Sequence, residues 1–412
     1  MRIKDISLAK EGMRKIEWVK SSMPVLSLID KRFTEEKPLK GYKVAVCVHL
    51  EAKTAYLCMV LRNAGAQVSA CGCNPLSTKD EICAALAEDG IDVNGWFGAT
   101  GDDYLENIRK TLEFCPDVII DDGGDFVEML HGSHPEYASN IIGGCEETTT
   151  GIHRLKARAG AGLLKFPMMD VNDADSKHLF DNRHGTGQSV WDAIMFTTNN
   201  IIAGKTVVVG GYGFCGSGIA KRAKGLGARV IGTEINPIRA LEAAMEGSEV
   251  MKMDDAAALG DIFVTSTGCK DVIVKRHFEK MKDNVIVANA GHFDVEFSKN
   301  DLEKMAVRKE ERKNFITGYY LSDGRVINAM ADGRLVNIVA GNGHPAEIMD
   351  MSFSLQALSV EYLVRNGKQL ENKLYNVPEE IDRNVAVLKA EAMGLGIDCL
   401  TKEQEEYISS MN

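Results

Sequence analysis

Two apolar patterns alternate along the chain. Short runs within "GYKVAVCVHL" (41–50), "AQVSACGCNP" (66–75) and "DVIIDDGGD" (117–125) are apolar, as strands covered on both faces are. Between them, "EAKTAYLCMVLRNAG" (51–65), "KDEICAALAEDG" (79–90) and "DDYLENIRKTLEFCP" (102–116) carry apolar residues three and four apart, which predicts helices. Strands alternating with helices predict a parallel sheet, with ligands beyond the carboxyl ends of its strands. His49, Asn74 and Asp122 fall at such ends.

A second block begins near Ile201. "KTVVVGGYGFCGSGIAKRAKGLGARVIGTEINP" (205–237) reads as strand, glycine turn, helix and strand. "DIFVTSTG" (261–268), "NVIVANAG" (284–291) and "VNIVAGNG" (336–343) predict three further strands ending near glycine. "AEIMDMSFSLQALSVEYLVRNG" (346–367) predicts a helix returning to the first block, and an amphipathic helix with a charged end follows. The expected fold is α/β: two doubly wound parallel-sheet (Rossmann-like) domains plus a small helical C-terminal tail. Its boundaries are 1–183 with 346–376 for a discontinuous substrate-binding domain, 184–345 for a nucleotide-binding domain, and 377–412 for the tail.

Composition narrows the function classes. The 412 residues are 45% hydrophobic and 26% charged, and carry a net charge of −11, which disfavours nucleic acid and acidic membrane surfaces as partners. "MRIKDISLAKEG" has no apolar core of a signal peptide, and no apolar run nears the roughly 20 residues of a membrane span. Ten cysteines without a CxxC motif suggest reduced thiols and a cytoplasmic location. Nine histidines without HExxH or H-x3-H spacing give no reason to expect a metal.

Gly211, Gly213 and Gly216 form GxGxxG between a strand and a helix, and Glu234 ends the next strand. These glycines suit a tight turn, close approach to pyrophosphate and helix–strand packing. The helix N-terminus favours phosphate. Glu234 can accept from both ribose hydroxyls of NAD and would repel the extra phosphate of NADP, so NAD is the expected cofactor.

"DDGGD" (121–125), "EETTTG" (146–151), "VNDADSKHLFDN" (171–182), "GHFDVE" (291–296) and "GRLVN…GHP" (333–345) stand in the order found in S-adenosyl-L-homocysteine hydrolases, and the chain resembles that family over nearly its whole length. The resemblance implies a small-molecule nucleoside thioether as substrate and a likeness to homotetrameric enzymes. It also implies a reaction by 3′-oxidation with tightly bound NAD, loss of homocysteine, water addition and re-reduction. Lys177 and Asp181 match the pair at the 3′-hydroxyl, spaced i, i+4 on a helix face, with burial pushing the lysine toward its neutral form. Glu147 matches a ribose-binding carboxylate, and Asp122 the base at C4′. His49 matches the acid at the leaving sulfur and the activator of water. His292 and His344 match the other two active-site histidines, on the homocysteine and ribose sides. Thr148, Thr149, Thr150, Asn182 and Asn337 match positions that contact NAD.

The departure from the family lies after His49. The family reads H-x-T-x-(E/Q), with the Thr position facing purine N1 and the Glu/Gln position facing the group on C6. This chain has Glu51 and Lys53, followed by Thr54. An ionised carboxylate only accepts and an ammonium only donates. Hypoxanthine, with N1–H and O6, matches both; adenine mismatches both. The expected substrate is therefore S-inosyl-L-homocysteine, with S-adenosyl-L-homocysteine as the alternative. Competing readings have Glu51 serving the helix N-terminus and Lys53 facing solvent, or the purine shifting so that adenine fits. Further departures are Thr186 where the family often has cysteine, Asn342 and Glu347 near GHP, and an end, "EEYISSMN", without the Lys/Tyr-containing extension of many members. A simple NAD-dependent dehydrogenase and a non-catalytic homologue are the rival functions. The full set of proton-handling residues argues against both.

Overall fold

The computed structural model describes residues 1–410. The strands are, in chain order, β1 (Lys43–Val48), β2 (Gln67–Gly72), β3 (Asp92–Asn94), β4 (Val118–Asp121), β5 (Gly143–Glu146) and β6 (Met168–Asp170). A second series holds β7 (Thr206–Gly210), β8 (Arg229–Thr233), β9 (Glu249–Val250), β10 (Ile262–Thr265), β11 (Val285–Asn289), β12 (Ala306–Lys313), β13 (Ile316–Leu321) and β14 (Val326–Met330). The last strand, β15 (Leu374–Asn376), rejoins the first series.

The first sheet has the order β15-β6-β5-β4-β1-β2-β3, with all pairings parallel. The chain runs outward from β1 through β2 and β3, then resumes with β4 on the other side. A crevice therefore opens where connections diverge, at the ends of β1 and β4. The second sheet, β12-β13-β14-β11-β10-β7-β8-β9, has the same kind of switch between β7 and β10. Both strand cores are dry: Val46, Ile120, Val208 and Val264 are buried.

Two expectations are corrected here. Val336–Val339 is one helical turn rather than a strand; Val336 and Val339, three apart, both face the core. The second sheet also gains a β12–β13–β14 meander with antiparallel pairings at β12–β13 and β13–β14. In β12, "AVRKEERK", the side chains are mostly exposed, so hairpin pairing rather than an apolar face defines it, and a search for buried runs passes over it.

The helix Ala346–Asn366 lies on the first sheet, burying Phe353, Leu355, Val360 and Leu363. The next helix, Glu379–Ala392, falls in the segment expected as a separate tail, yet it packs on the same layer. Lys389 Nζ donates to Asp350 Oδ2 at 2.9 Å and to the Glu347 carbonyl at 2.7 Å. Asp350 in turn accepts from the backbone of Val25 and Leu26, at the start of the helix Pro24–Glu36. Asp382 accepts from the Asp175 and Ser176 amides at 2.7 and 3.0 Å, so this segment also braces the chain beside Lys177. Residues 411 and 412 of the expected tail lie outside the described residues. Among the described residues, no helix is long and apolar enough to cross a membrane.

Candidate active site

The two crevices open into one cavity of about 1170 Å³. His49, Asp122 and Glu147 are the first residues after β1, β4 and β5, so three adjacent strands deliver them side by side. Asp122 stands between two imidazoles: Oδ2 is 3.7 Å from His49 Nε2, and Oδ1 is 3.7 Å from His292 Nδ1. Gly123 (φ +101°) makes this approach possible, because a Cβ there would lie 2.3 Å from His292 Nε2. Burial lowers the His49 pKa to about 4 against the attraction of Asp122, so the ring is neutral at neutral pH. Donor atoms of His49, Asp122 and His292 lie within 4.8 Å of one another, a cluster able to hold a cation. Its members come from three distant segments, which is why residue spacing gave no sign of it.

Lys177 ends a short helix that passes into a π-helical segment, His178–Gly185. The wider winding brings residue i+5 under residue i. Lys177 Nζ therefore bonds Asn182 Oδ1 at 2.8 Å and stands farther from Asp181 (3.6 Å) and Glu147 (3.5 Å). The expected lysine–aspartate face survives only as this looser pair. The expected neutral lysine is corrected. Burial alone would push its pKa down, but Asp181 and Glu147 outweigh it and hold the pKa above that of an ordinary lysine. Burial raises Glu147 to about 7, against the pull of Lys177. Asp181 stays well below the usual carboxylate range. Burial opposes this, but Lys177 and His344 prevail, with His344 Nδ1 at 2.6 Å and Ser352 Oγ at 2.7 Å. His344 Nε2 meets Thr186 Oγ1 at 3.1 Å.

Glu51 and Lys53 both line the cavity. Glu51 is the N-cap of the helix Ala52–Asn63, accepting from the Lys53 and Thr54 amides at 3.2 and 3.4 Å. Its backbone is extended, not helical, so residues 51 and 53 can meet: Lys53 Nζ lies 2.8 Å from Glu51 Oε2. The lysine is buried, not turned to solvent, and donates also to the Asn342 carbonyl at 3.1 Å. With two of three ammonium protons engaged, one remains for a ligand. Thr54 is committed to the main chain, donating to the His49 carbonyl at 2.6 Å.

The residues around the second crevice fit NAD. Gly211 has φ +89°, and a Cβ on Gly216 would lie 1.9 Å from the Gly211 carbonyl oxygen. Nothing stands within 4 Å of a Cβ on Gly213, leaving that backbone open at the start of the helix Phe214–Gly225. Glu234 is fixed by the amides of Tyr212 (2.6 Å), Ile235 (2.7 Å) and Asn236 (2.9 Å). Thr148, Thr149, Thr150 and Asn182 line the cavity. Asn337 does not: it is buried behind the wall, donating to Ser189 Oγ at 3.0 Å, with its Oδ1 unpartnered. Gly216→Ala is expected to yield folded protein that purifies with little NAD, measured by cofactor release on denaturation.

Residues 1–137 match the family model described as S-adenosyl-L-homocysteine hydrolase, and residues 182–343 match its NAD binding domain. The chain belongs to the S-adenosyl-L-homocysteine hydrolase family. It is 56% identical to S-inosyl-L-homocysteine hydrolase of Methanocaldococcus jannaschii, covering 98% of each chain. It is 54% identical to S-inosyl-L-homocysteine hydrolase of Methanopyrus kandleri, over 99% of this chain and 96% of that one. It is 53% identical to adenosylhomocysteinase of Pyrococcus abyssi, over 99% and 97%.

Sequence reasoning missed two supports of this hydrolase site. Ser352 holds Asp181, and Gln356 Nε2 donates to Glu147 Oε2 at 2.6 Å. Both sit on the buried face of the helix Ala346–Asn366, and two polar residues four apart in an apolar helix are the signal that could have found them. A further acid lies beneath the hydrolase site: burial raises Asp121 to about 7. A carboxyl whose folded pKa is raised stabilises the fold fully below its unfolded pKa, and loses that contribution as pH rises through the folded value. The contribution of Asp121 to the stability of the NAD-free protein is therefore expected to fall between about pH 4 and pH 7. Asp121→Asn should flatten that slope in urea melts.

Proposed function

We propose that this enzyme reversibly hydrolyses S-inosyl-L-homocysteine to inosine and homocysteine, with S-adenosyl-L-homocysteine as a poorer substrate. The observation that carries this reading is the Glu51–Lys53 pair at 2.8 Å on the cavity wall. It sets an acceptor beside a donor, matching the N1–H and O6 of a hypoxanthine. Adenine reverses both, at about 1–3 kcal/mol for each buried unsatisfied group. Two mismatches correspond to roughly 30-fold to 10⁴-fold discrimination. The helix cap on Glu51 does not oppose this role, because a carboxylate has about four lone-pair sites.

Bound NAD supplies reversible hydride acceptance at the ribose 3′ carbon. Lys177 and Glu147 then share the 3′-hydroxyl. The lysine orients its oxygen as a cation, and Glu147, with a pKa of about 7, is near balance for proton exchange at neutral pH. Asp122 takes the proton from C4′ as the C5′–sulfur bond breaks. His49, neutral and 3.7 Å away, accepts that proton from Asp122 and passes it to the departing sulfur; in the second half it takes a proton from the water attacking C5′ and returns it through Asp122 to C4′. His292 braces Asp122 on its other oxygen, and His344, fixed by Asp181, faces the ribose. In this reading the His49–Asp122–His292 cluster handles protons and holds no metal. Asn182 and Thr148 to Thr150, which line the cavity, are the cofactor contacts in this reading; Asn337, bonded to Ser189 behind the wall, is not one of them. A homotetramer belongs to the same proposal, supported by exposed apolar residues after the last packed helix, Leu395, Leu400, Tyr407 and Ile408.

Turnover of the two thioethers tests the reading directly. The inosyl compound is expected to give the higher kcat/KM by at least about 30-fold. Equal or better use of the adenosyl compound refutes the substrate assignment and leaves the family assignment standing.

A further inference from the structure

Two buried side chains on the segment after β2 stand behind the reacting pair. Cys73 Sγ donates to Asp122 Oδ2 at 3.4 Å, and Ser77 Oγ lies 2.7 Å from His49 Nδ1. Both residues are buried, Ser77 completely, and neither lines the cavity. The segment is braced by itself. Asn74 Oδ1 accepts from the Leu76 amide at 2.9 Å, and the Asn74 carbonyl accepts from Ser77 Oγ and Thr78 Oγ1, each at 3.0 Å.

We propose that Cys73 and Ser77 are positioning residues that aim Asp122 and His49 at each other and at the substrate, an assignment that rests on the reaction proposed above. The thiol reaches Oδ2, the oxygen that faces His49, and so fixes how the carboxylate is turned. Burial and the nearby Asp122 charge push the Cys73 pKa well up, so the thiol keeps the proton it donates. Ser77 anchors the far nitrogen of the imidazole. Its own proton goes to the Asn74 carbonyl, so Ser77 Oγ accepts from Nδ1–H, which leaves Nε2 bare to take a proton and holds the ring in the same way in both protonation states. The anchored ring keeps Nε2 directed at Asp122 throughout a proton transfer.

The test uses the NAD-loaded wild type with Cys73→Ala, Cys73→Ser, Ser77→Ala and Ser77→Thr, in three measurements. Reduction of the bound cofactor on adding inosine reports 3′-oxidation, which does not use this pair. Exchange of the C4′ hydrogen in D₂O, followed by NMR, reports Asp122. Thioether formation from inosine and homocysteine reports His49. Ser77→Ala is expected to slow thioether formation by about 10- to 100-fold, part of the 10²–10⁴ that a positioned proton-transfer group supplies. Cofactor reduction should stay within about twofold of wild type, because the group that would slow it is untouched. Cys73→Ala should slow C4′ exchange by about 3- to 10-fold, a smaller effect because a thiol is a weak donor. Cys73→Ser and Ser77→Thr should restore most of each loss. Variants that match wild type in all three measurements overturn the proposal, and so do variants that lose all three together, which is the mark of a packing defect. If the wild type fails to reduce its cofactor with inosine, the substrate reading is what fails. The same three measurements with adenosine then decide the positioning role.

Discussion

Asp122→Asn is expected to lower thioether cleavage by about 10²–10⁴-fold while leaving NAD binding intact. The amide keeps the size of the carboxylate and its place between His49 and His292, 3.7 Å from each, but cannot take a proton from C4′. Because Lys177 and Glu147 sit at the other side of the ribose in this reading, the variant should still reduce its cofactor on adding nucleoside, and then stall. Stopped-flow absorbance of the reduced cofactor, compared with steady-state homocysteine release, checks both halves. A variant that retains wild-type cleavage assigns the C4′ proton to another group, with Glu147 next in line.

The second large effect concerns the base. Glu51→Thr combined with Lys53→Gln is expected to turn the preference toward the adenosyl thioether, moving the ratio of kcat/KM values by roughly 30-fold to 10⁴-fold. Thr remains a competent N-cap, so the helix Ala52–Asn63 should keep its start. Gln offers a carbonyl to the adenine amine and an NH₂ group for the Asn342 carbonyl that Lys53 now holds. The ratio for the two substrates with the same enzyme preparation is the measurement. An unchanged ratio means the two side chains do not read the ring.

Much of this was legible because buried parallel strands write themselves as dense apolar runs. The apolar runs alone place the residues just past β1 and β4 at strand ends. The fingerprint at Gly211, Gly213 and Gly216 was equally plain, since steric demands allow few alternatives. Other features depend on the third dimension. The β12 strand is mostly exposed and owes its form to its hairpin partner. The charge on Lys177 follows from two carboxylates contributed by different segments, which no local rule could weigh against burial. The π-helical winding after Lys177 replaced an expected i, i+4 partner with an i, i+5 one. Asn337 matched a motif position yet lies behind the wall, and motif matching carries no information on depth.

The ammonium of Lys53 touches both Glu51, on the first sheet's side, and the main chain of residue 342, which follows the second. In the reading proposed above, one charge thus links choice of nucleoside to how firmly the two halves hold together. A lineage drifting between keto and amino purines at this position would alter product escape along with recognition, so affinity and turnover would evolve as a single trait.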